Sequence, residues 1–294
     1  MNNPIWSYYV RLYVLVILTL FLSGCATSTN PSKPAAPATQ VSKFTGLPIE
    51  QGPSSLGAEP RKEKVTHLIL HYTAGTLPSS LDILQGKDHA HKVGIHYVVT
   101  DEATPRVIRM VPENMSAFHA GKSGWAELNA LNQRSVGIEI INLDGNVHPY
   151  SAAQAEVLFT LCADIIRRHD IKPVNVLGHS DIAVGRKIDP GTLFPWAKLA
   201  ALGIGAWPLP DEVKANLAKS KTPNAVDVRK LLELYGYHLE AGEPGLKLGL
   251  EAFQRHFRSA KITGVADSET VAILRALVRR YRSEELRRAR LPKV

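Results

Sequence analysis

Two of the chain's eleven histidines close apolar runs. His71 ends Thr66-His67-Leu68-Ile69-Leu70-His71, and His179 ends Val174-Asn175-Val176-Leu177-Gly178-His179. Both runs have strand character, and the carboxyl ends of strands are where open sheets build their sites. Asp189 follows in Gly185-Arg186-Lys187-Ile188-Asp189-Pro190-Gly191, a loop punctuated by Gly and Pro. Two imidazoles and a carboxylate make a three-ligand zinc set with one position left for water. A different chemistry is suggested by His179-Ser180-Asp181, the His-x-Asp part of an iron(II) facial triad. That reading needs another histidine on a later strand of an all-β barrel, and only helical patterns follow. Glu139 lies inside the apolar run from Val136 to Ile141, where a carboxylate needs a reason to be buried. Lys187, taken alone, reads as one more solvated lysine.

The segments that must position these groups are strands at Val65 to His71, Gly94 to Thr100, Arg106 to Val111, Val136 to Asn142 and Val174 to Leu177, all rich in β-branched or aromatic residues. Ser151 to His169 shows one apolar helical face through Ala155, Leu158, Phe159, Cys162, Ile165 and Ile166, and Ser151 with Gln154 suggests a capping box. The expected fold is α/β, a mixed central sheet flanked by helices. After Trp207-Pro208-Leu209-Pro210 the pattern becomes helical in three stretches, which predicts a small separate three-helix domain. An apolar 45% of the chain can supply real cores. Cys162 would be the one cysteine of the folded domains and reads as a small core hydrophobe, so no internal disulfide is expected.

At the start, Arg11 precedes an apolar run from Leu12 to Leu22 that is about half the roughly 20 residues of a membrane span, the pattern of a secretory signal. Leu22-Ser23-Gly24-Cys25 resembles the bacterial lipobox, which implies lipid on Cys25. Ala26 after it, in place of an aspartate, implies an outer-membrane lipoprotein facing the periplasm. The chain would be anchored without spanning. From Ala26 the composition is Pro, Ala, Ser, Thr and Lys, too polar to bury a core, so a tether is expected. The net charge of +8 would suit nucleic acid, but an exported protein meets anionic envelope polymers instead.

Five segments in order carry a family resemblance: Leu70-His71-Tyr72-Thr73-Ala74-Gly75, then His119-Ala120-Gly121 with Ser123 and Trp125, then Ser135-Val136-Gly137-Ile138-Glu139, then Gly178-His179-Ser180-Asp181-Ile182, and last Lys187-Ile188-Asp189-Pro190-Gly191 with Phe194-Pro195-Trp196. Together they resemble the type 2 N-acetylmuramoyl-L-alanine amidases. The resemblance implies one zinc ion on His71, His179 and Asp189, with Glu139 as proton carrier and Lys187 as donor to the oxyanion. It implies peptidoglycan or muropeptides as substrate, cut between N-acetylmuramic acid and L-alanine. His96 and Tyr97 would line the cleft, His119 would sit on a substrate-groove loop, and Trp125 would stack on substrate or fill the core. His67, His89 and His91 read as surface groups or as orienters of a ligand imidazole. Further on, Val228 to Tyr237, Leu250 to Phe257 with its Ala-Phe-Gln step, and Thr263 to Thr270 resemble the three-helix peptidoglycan-binding domain. The implied boundaries are 1–25 signal peptide, 26–60 tether and entry, 61–210 catalytic domain, 220–285 helical domain and 286–294 basic tail. A monomer is expected, since no long heptad pattern stands out. The competing reading is a non-catalytic peptidoglycan sensor of the same fold, which would need neither Glu139 nor Lys187.

Overall fold

Leu68, Ile69 and Leu70 run without a polar interruption because both faces of their strand are covered, the pattern of a parallel strand at the centre of a sheet. A computed structural model describes residues 39–42, 45–87, 92–218 and 224–289. The signal, the lipobox cysteine, most of the tether, His89, His91 and the last five residues lie outside these. In chain order the described elements begin with β1 (Thr39–Val41), β2 (Pro48–Gln51), β3 (Ala58–Pro60), β4 (His67–Tyr72), α1 (Leu77–Leu84), β5 (Tyr97–Val99) and β6 (Val107–Arg109). There follow β7 (Met115–Ala117), β8 (Gly124–Trp125), β9 (Leu128–Asn129), β10 (Ser135–Ile140), α2 (Ala152–His169), β11 (Val176–Gly178), α3 (His179–Ile182) and α4 (Trp196–Ala201). The helical part is α5 (Pro210–Ala218), α6 (Ala225–Tyr235), α7 (Gly242–Phe257), α8 (Ser268–Tyr281) and α9 (Ser283–Arg288).

The main sheet has the order β1-β2-β6-β5-β10-β4-β11. Its β5, β10, β4 and β11 pairings are parallel, as is β2 with β6, while β1 with β2 and β5 with β6 are antiparallel. The expected mixed sheet is therefore present. The expected strands are all found, with their ends shifted by one to three residues. The hairpin β8/β9 and the pair β3/β7, of two or three residues a strand, are too short to leave a periodic signature.

The two faces of the sheet are covered differently. Leu68, Leu70, Val136, Ile138, Ile140 and Val176 pack against Leu158, Phe159, Leu161, Cys162 and Ile165 of α2 and Leu199 of α4. Residues of the alternate parity face the other way: Ile69 and Leu177 join Trp125, Leu131 and the helical part through Leu231, Tyr235, Tyr237, Phe253 and Leu274. Farther along that face, Val98, Ile108 and Ile95 are covered by Leu84 of α1. The helical part thus shares a continuous core with the sheet, and α5 packs on α8, so the bundle begins before the boundary at 220 expected for it. The expected C-terminal helices form a distinct bundle, and its core is continuous with that of the sheet. What sequence could not reveal is that Trp125, from the catalytic segment, is wholly buried and meets Tyr235 and Tyr237 edge-on, with ring centres 5.8 and 5.0 Å away.

Local signals mostly hold. Ser151 accepts from the Gln154 N–H at 3.1 Å, but the reciprocal arm of the capping box is missing: the Gln154 side chain donates to the Ile141 carbonyl at 2.8 Å, tying the helix start to the end of β10. Asp267 caps α8 through the Thr270 N–H. Gln254, of the Ala-Phe-Gln step, is fully buried and accepts from the N–H groups of Thr263 and Gly264 while its amide donates to Val265 O and Thr270 Oγ1. That one side chain satisfies the loop between α7 and α8, which explains the residue type. Among the described residues no helix is long and apolar enough to cross a membrane.

The shared core predicts that Trp125→Ala destabilises sheet and bundle as one unit, by about 3–5 kcal/mol in denaturant unfolding. A single shifted transition is expected. Two transitions, with only the helical part weakened, would contradict it.

Candidate metal centre and active site

The parallel register assembles the site. Glu139 on β10 pairs with His71 on β4, and Gly178 on β11 pairs with Leu70, so His179 comes level with His71 one residue later. Three strand ends place a carboxyl and two imidazoles on one level at the carboxyl edge of the sheet. Asp189 is brought in by its loop, where its carbonyl accepts from the Ser180 N–H at 2.9 Å.

His71 Nδ1 lies 3.0 Å from His179 Nδ1 and 3.0 Å from Asp189 Oδ2, and His179 Nδ1 lies 3.1 Å from the same oxygen. Zinc bonds of about 2.0–2.1 Å in a tetrahedron separate donor atoms by roughly 3.3 Å, so the three atoms fit such an ion within a few tenths of an ångström. The donor set is of the right chemistry, and all three residues are buried. Burial and the neighbouring His179 push His71 down to about 4, so it is a neutral base at ordinary pH. Burial works to raise the Asp189 carboxyl, but the close imidazoles of His179 and His71 hold it well below the usual carboxylate range.

Because both histidines converge through Nδ1, their Nε2 atoms are what orient them. His179 Nε2 donates to the Ala120 carbonyl at 3.2 Å, and Arg186 holds that loop by donating to the carbonyls of Ala120 and Lys122 at 3.1 and 2.7 Å. His71 Nε2 lies 3.0 Å from His119 Nδ1, His119 Nε2 lies 3.1 Å from Ser135 Oγ, and Ser135 Oγ lies 2.7 Å from the Leu131 carbonyl. A carbonyl can only accept, so Ser135 donates to it and accepts from His119 Nε2. Burial keeps His119 neutral, so its Nδ1 accepts from His71 Nε2–H. The bare lone pair of His71 Nδ1 then faces the other ligands. One backbone carbonyl thus sets the tautomer of a ligand through two side chains.

Glu139 borders the same cavity, of about 350 Å³, as do His119, Lys187, Asp189 and the apolar rim residues Ile83 and Ile188. Its Oε2 is buried with no hydrogen-bond partner. Burial, with the Asp189 charge added and Lys187 opposing, pushes its carboxyl well above the usual range.

The other residues singled out from sequence fall elsewhere. His96 is fully buried one step down the sheet, accepting from the Gly137 N–H through Nδ1 and donating to the Met115 carbonyl through Nε2, so it does not line the cleft. Tyr97 pairs with Ile138 and so faces away from Glu139, its hydroxyl donating to Glu113 at 2.7 Å. Trp125 is sealed in the core described above and has no surface for stacking on a ligand. His119 does border the cavity, but its polar atoms are engaged by His71 and Ser135. Asp181 turns into the helical part and stands outside the metal cluster, against the iron-triad reading. His67 is buried at the far end of β4 beside Thr66. The roles of His119 and Ser135 were missed, although Gly137 inside an apolar strand was a signal: a Cβ there would lie 2.6 Å from the His119 ring.

With this geometry in hand, likeness to known proteins can be weighed. Residues 61–192 match the N-acetylmuramoyl-L-alanine amidase family. Across 288 residues the chain is 37% identical to the N-acetylmuramoyl-L-alanine amidase AmiD of Escherichia coli (strain K12), covering 92% of this chain and 98% of that protein. The chain belongs to the N-acetylmuramoyl-L-alanine amidase family. Among solved structures, AmpDh3 of Pseudomonas aeruginosa in complex with anhydromuramic pentapeptide superposes with a TM-score of 0.70 at 36% identity, over 74% of this chain and 93% of that one. The E. coli AmiD complex with anhydro-N-acetylmuramic acid-L-Ala-D-gamma-Glu-L-Lys gives 0.69 at 37% identity, over 76% and 93%. The amidase fold and a His-His-Asp cluster suited to a metal are thus present together in this chain.

Gly137→Ala should drive His119 off the His71 ring and weaken zinc binding about tenfold or more, with the fold retained. Chelator competition measures this, and an unchanged affinity would mean that His119 does not orient His71.

Proposed function

We propose that the protein hydrolyses the amide between N-acetylmuramic acid and the first L-alanine of peptidoglycan or its muropeptides, with one zinc ion held by His71, His179 and Asp189. The observation that carries this reading is Glu139, which lies level with His71, borders the cavity and has one buried carboxyl oxygen without a partner. What zinc supplies when bound is Lewis acidity, which polarises the carbonyl and makes a water more acidic. Glu139, which borders the cavity, takes the proton of the attacking water. The environment that raises its proton affinity lets it keep that proton until the alanine nitrogen departs and needs it. Lys187, on the same cavity, donates to the oxyanion of the tetrahedral species. His119 and Arg186 keep the imidazoles aimed, and the apolar rim excludes water from the proton path.

Substrate follows from the same cavity and from the relatives' anhydromuramyl peptides: a sugar-linked stem peptide whose amide reaches the level of Glu139. A sensor would have no use for an unpartnered buried base, so the enzyme reading is preferred. The lipobox at Cys25, followed by a polar tether, supports an outer-membrane lipoprotein on the periplasmic side, acting as a monomer on the wall it can reach. The resemblance of residues 220–285 to a peptidoglycan-binding domain supports a second role for the bundle, raising the local concentration of substrate.

Glu139→Ala should keep zinc and lose about 10²–10⁴ in turnover, measured as alanine-led peptides released from peptidoglycan. Asp189→Ala should lose zinc and turnover together. Near-normal release by the first variant, or full zinc content in the second, would refute the assigned role. Separately, Cys25→Ser should move the protein from the membrane fraction to the soluble one; continued membrane partition would rule out the lipid anchor.

A further inference from the structure

The helical bundle makes a contact that neither wall binding nor ordinary packing requires. Asp181, two residues beyond His179, is fully buried, and its carboxylate is divided between two parts of the chain. One oxygen accepts from the Gly178 N–H at 2.8 Å, inside its own turn. The remaining donors come from the bundle: the Tyr237 hydroxyl at 2.7 Å and His256 Nδ1 at 2.8 Å. A buried carboxylate stripped of such partners is strongly unfavourable, so the turn carrying His179 is held where Tyr237 and His256 can reach it.

The turn has little rigidity of its own. α3 is four residues long, and one helical turn does not hold itself in water. Its geometry must come from what it touches. The His256 ring also stacks on Trp196, with centres 3.7 Å apart and planes 20° from parallel. Trp196 and Pro190 close over Gly178, where a Cβ would lie 3.3 and 2.7 Å from them. Leu248, on the same helix as His256, lies against Gly185 in the loop between His179 and Asp189, leaving 2.8 Å for a Cβ there. One helix, α7, therefore braces the turn before the loop, the loop itself and the segment after Asp189.

We propose that the C-terminal bundle is part of the scaffold of the metal centre, with Tyr237 and His256 acting as positioning residues that fix His179 through Asp181. This rests on the reading of His179 as a zinc ligand. Neither residue belongs to the His-His-Asp cluster or lines the cavity; each acts by limiting the positions that the His179 backbone can take. The consequence is that the bundle cannot be exchanged or removed as an inert appendage, because the affinity of the site for its metal depends on it.

The test uses the full mature chain and zinc itself, with affinity read by chelator competition and stability read as Tm. Tyr237→Phe removes only the donor hydroxyl, and His256→Phe removes the donor while keeping a slightly larger aromatic ring between Trp196 and Phe257. Each is expected to weaken zinc binding about tenfold or more, and to lower kcat at saturating zinc with KM nearly unchanged. His256→Asn, which can present an N–H near the position of Nδ1, is expected to recover most of the affinity. Leu277→Ala, a core change in α8 away from Asp181, serves as the comparison: it should lower Tm and leave zinc affinity alone. Zinc affinity within twofold of wild type in both phenylalanine variants would overturn the proposal, as would an equal loss of affinity in Leu277→Ala at matched Tm. Failure of the underlying reading looks different: wild type would take up no zinc, or His179→Ala would bind it as well as wild type, and the proposal would fall with it.

Discussion

The parallel pairing of β10 and β11 on either side of β4 puts Glu139, His71 and His179 at one level, and the remaining structure follows from that register. A slip of one residue in either strand would send a functional group to the opposite face, into the apolar layer under α2. Placing two imidazoles and two carboxyls at a sheet edge also creates a demand. These groups need partners on the side away from the cavity, and the face they share needs an apolar cover below them. The loop from Phe118 to Leu131 and the helical bundle supply both.

This explains why polar groups are layered so regularly beneath the site. Behind His71 stand His119, Ser135 and a carbonyl; behind His179 stand the Ala120 carbonyl and Arg186; beneath His119 lies Gly137, whose N–H is taken by His96. Each donor finds an acceptor, and the order of donors fixes which nitrogen is bare. Against that background Glu139 is informative, because it borders the cavity while one of its carboxyl oxygens is buried without a partner. Unsatisfied buried polar atoms are costly, and one kept at the level of a metal cluster is most simply explained by its use.

The sequence made the strands, the helix α2 and the cluster legible, because strand runs ending in His71 and His179 and a Gly/Pro-marked loop at Asp189 are local patterns. Glu139 was legible as an anomaly inside an apolar run. The errors share a cause. His96 and Tyr97 were expected near substrate from their places in motif segments, yet which face a strand residue takes depends on pairing partners far along the chain: Tyr97 lies opposite Ile138 and so points away. For Trp125 both substrate stacking and the core were open, and Tyr235 and Tyr237, more than a hundred residues later, decide for the core. The same holds for the bundle. Amphipathic helices announce a buried face but not what buries it, so the bundle was legible and the core it shares with the sheet was not. The missing arm of the capping box at Ser151 is a small case of it, since Ile141 competes for Gln154 and wins.

The chain is an amidase-family enzyme whose His-His-Asp cluster is assembled by sheet register and contacted from two directions, by the His119 loop and, through Asp181, by the helical bundle. The measurement that tests this most directly is digestion of purified peptidoglycan by the mature soluble chain, first stripped by a chelator and then given zinc, with products read by mass spectrometry. The account predicts stem peptides beginning with alanine, absent from the stripped protein and restored by about one zinc per chain. Binding to the polymer with no peptide released at any zinc level, or release that persists after the metal is removed, would contradict it.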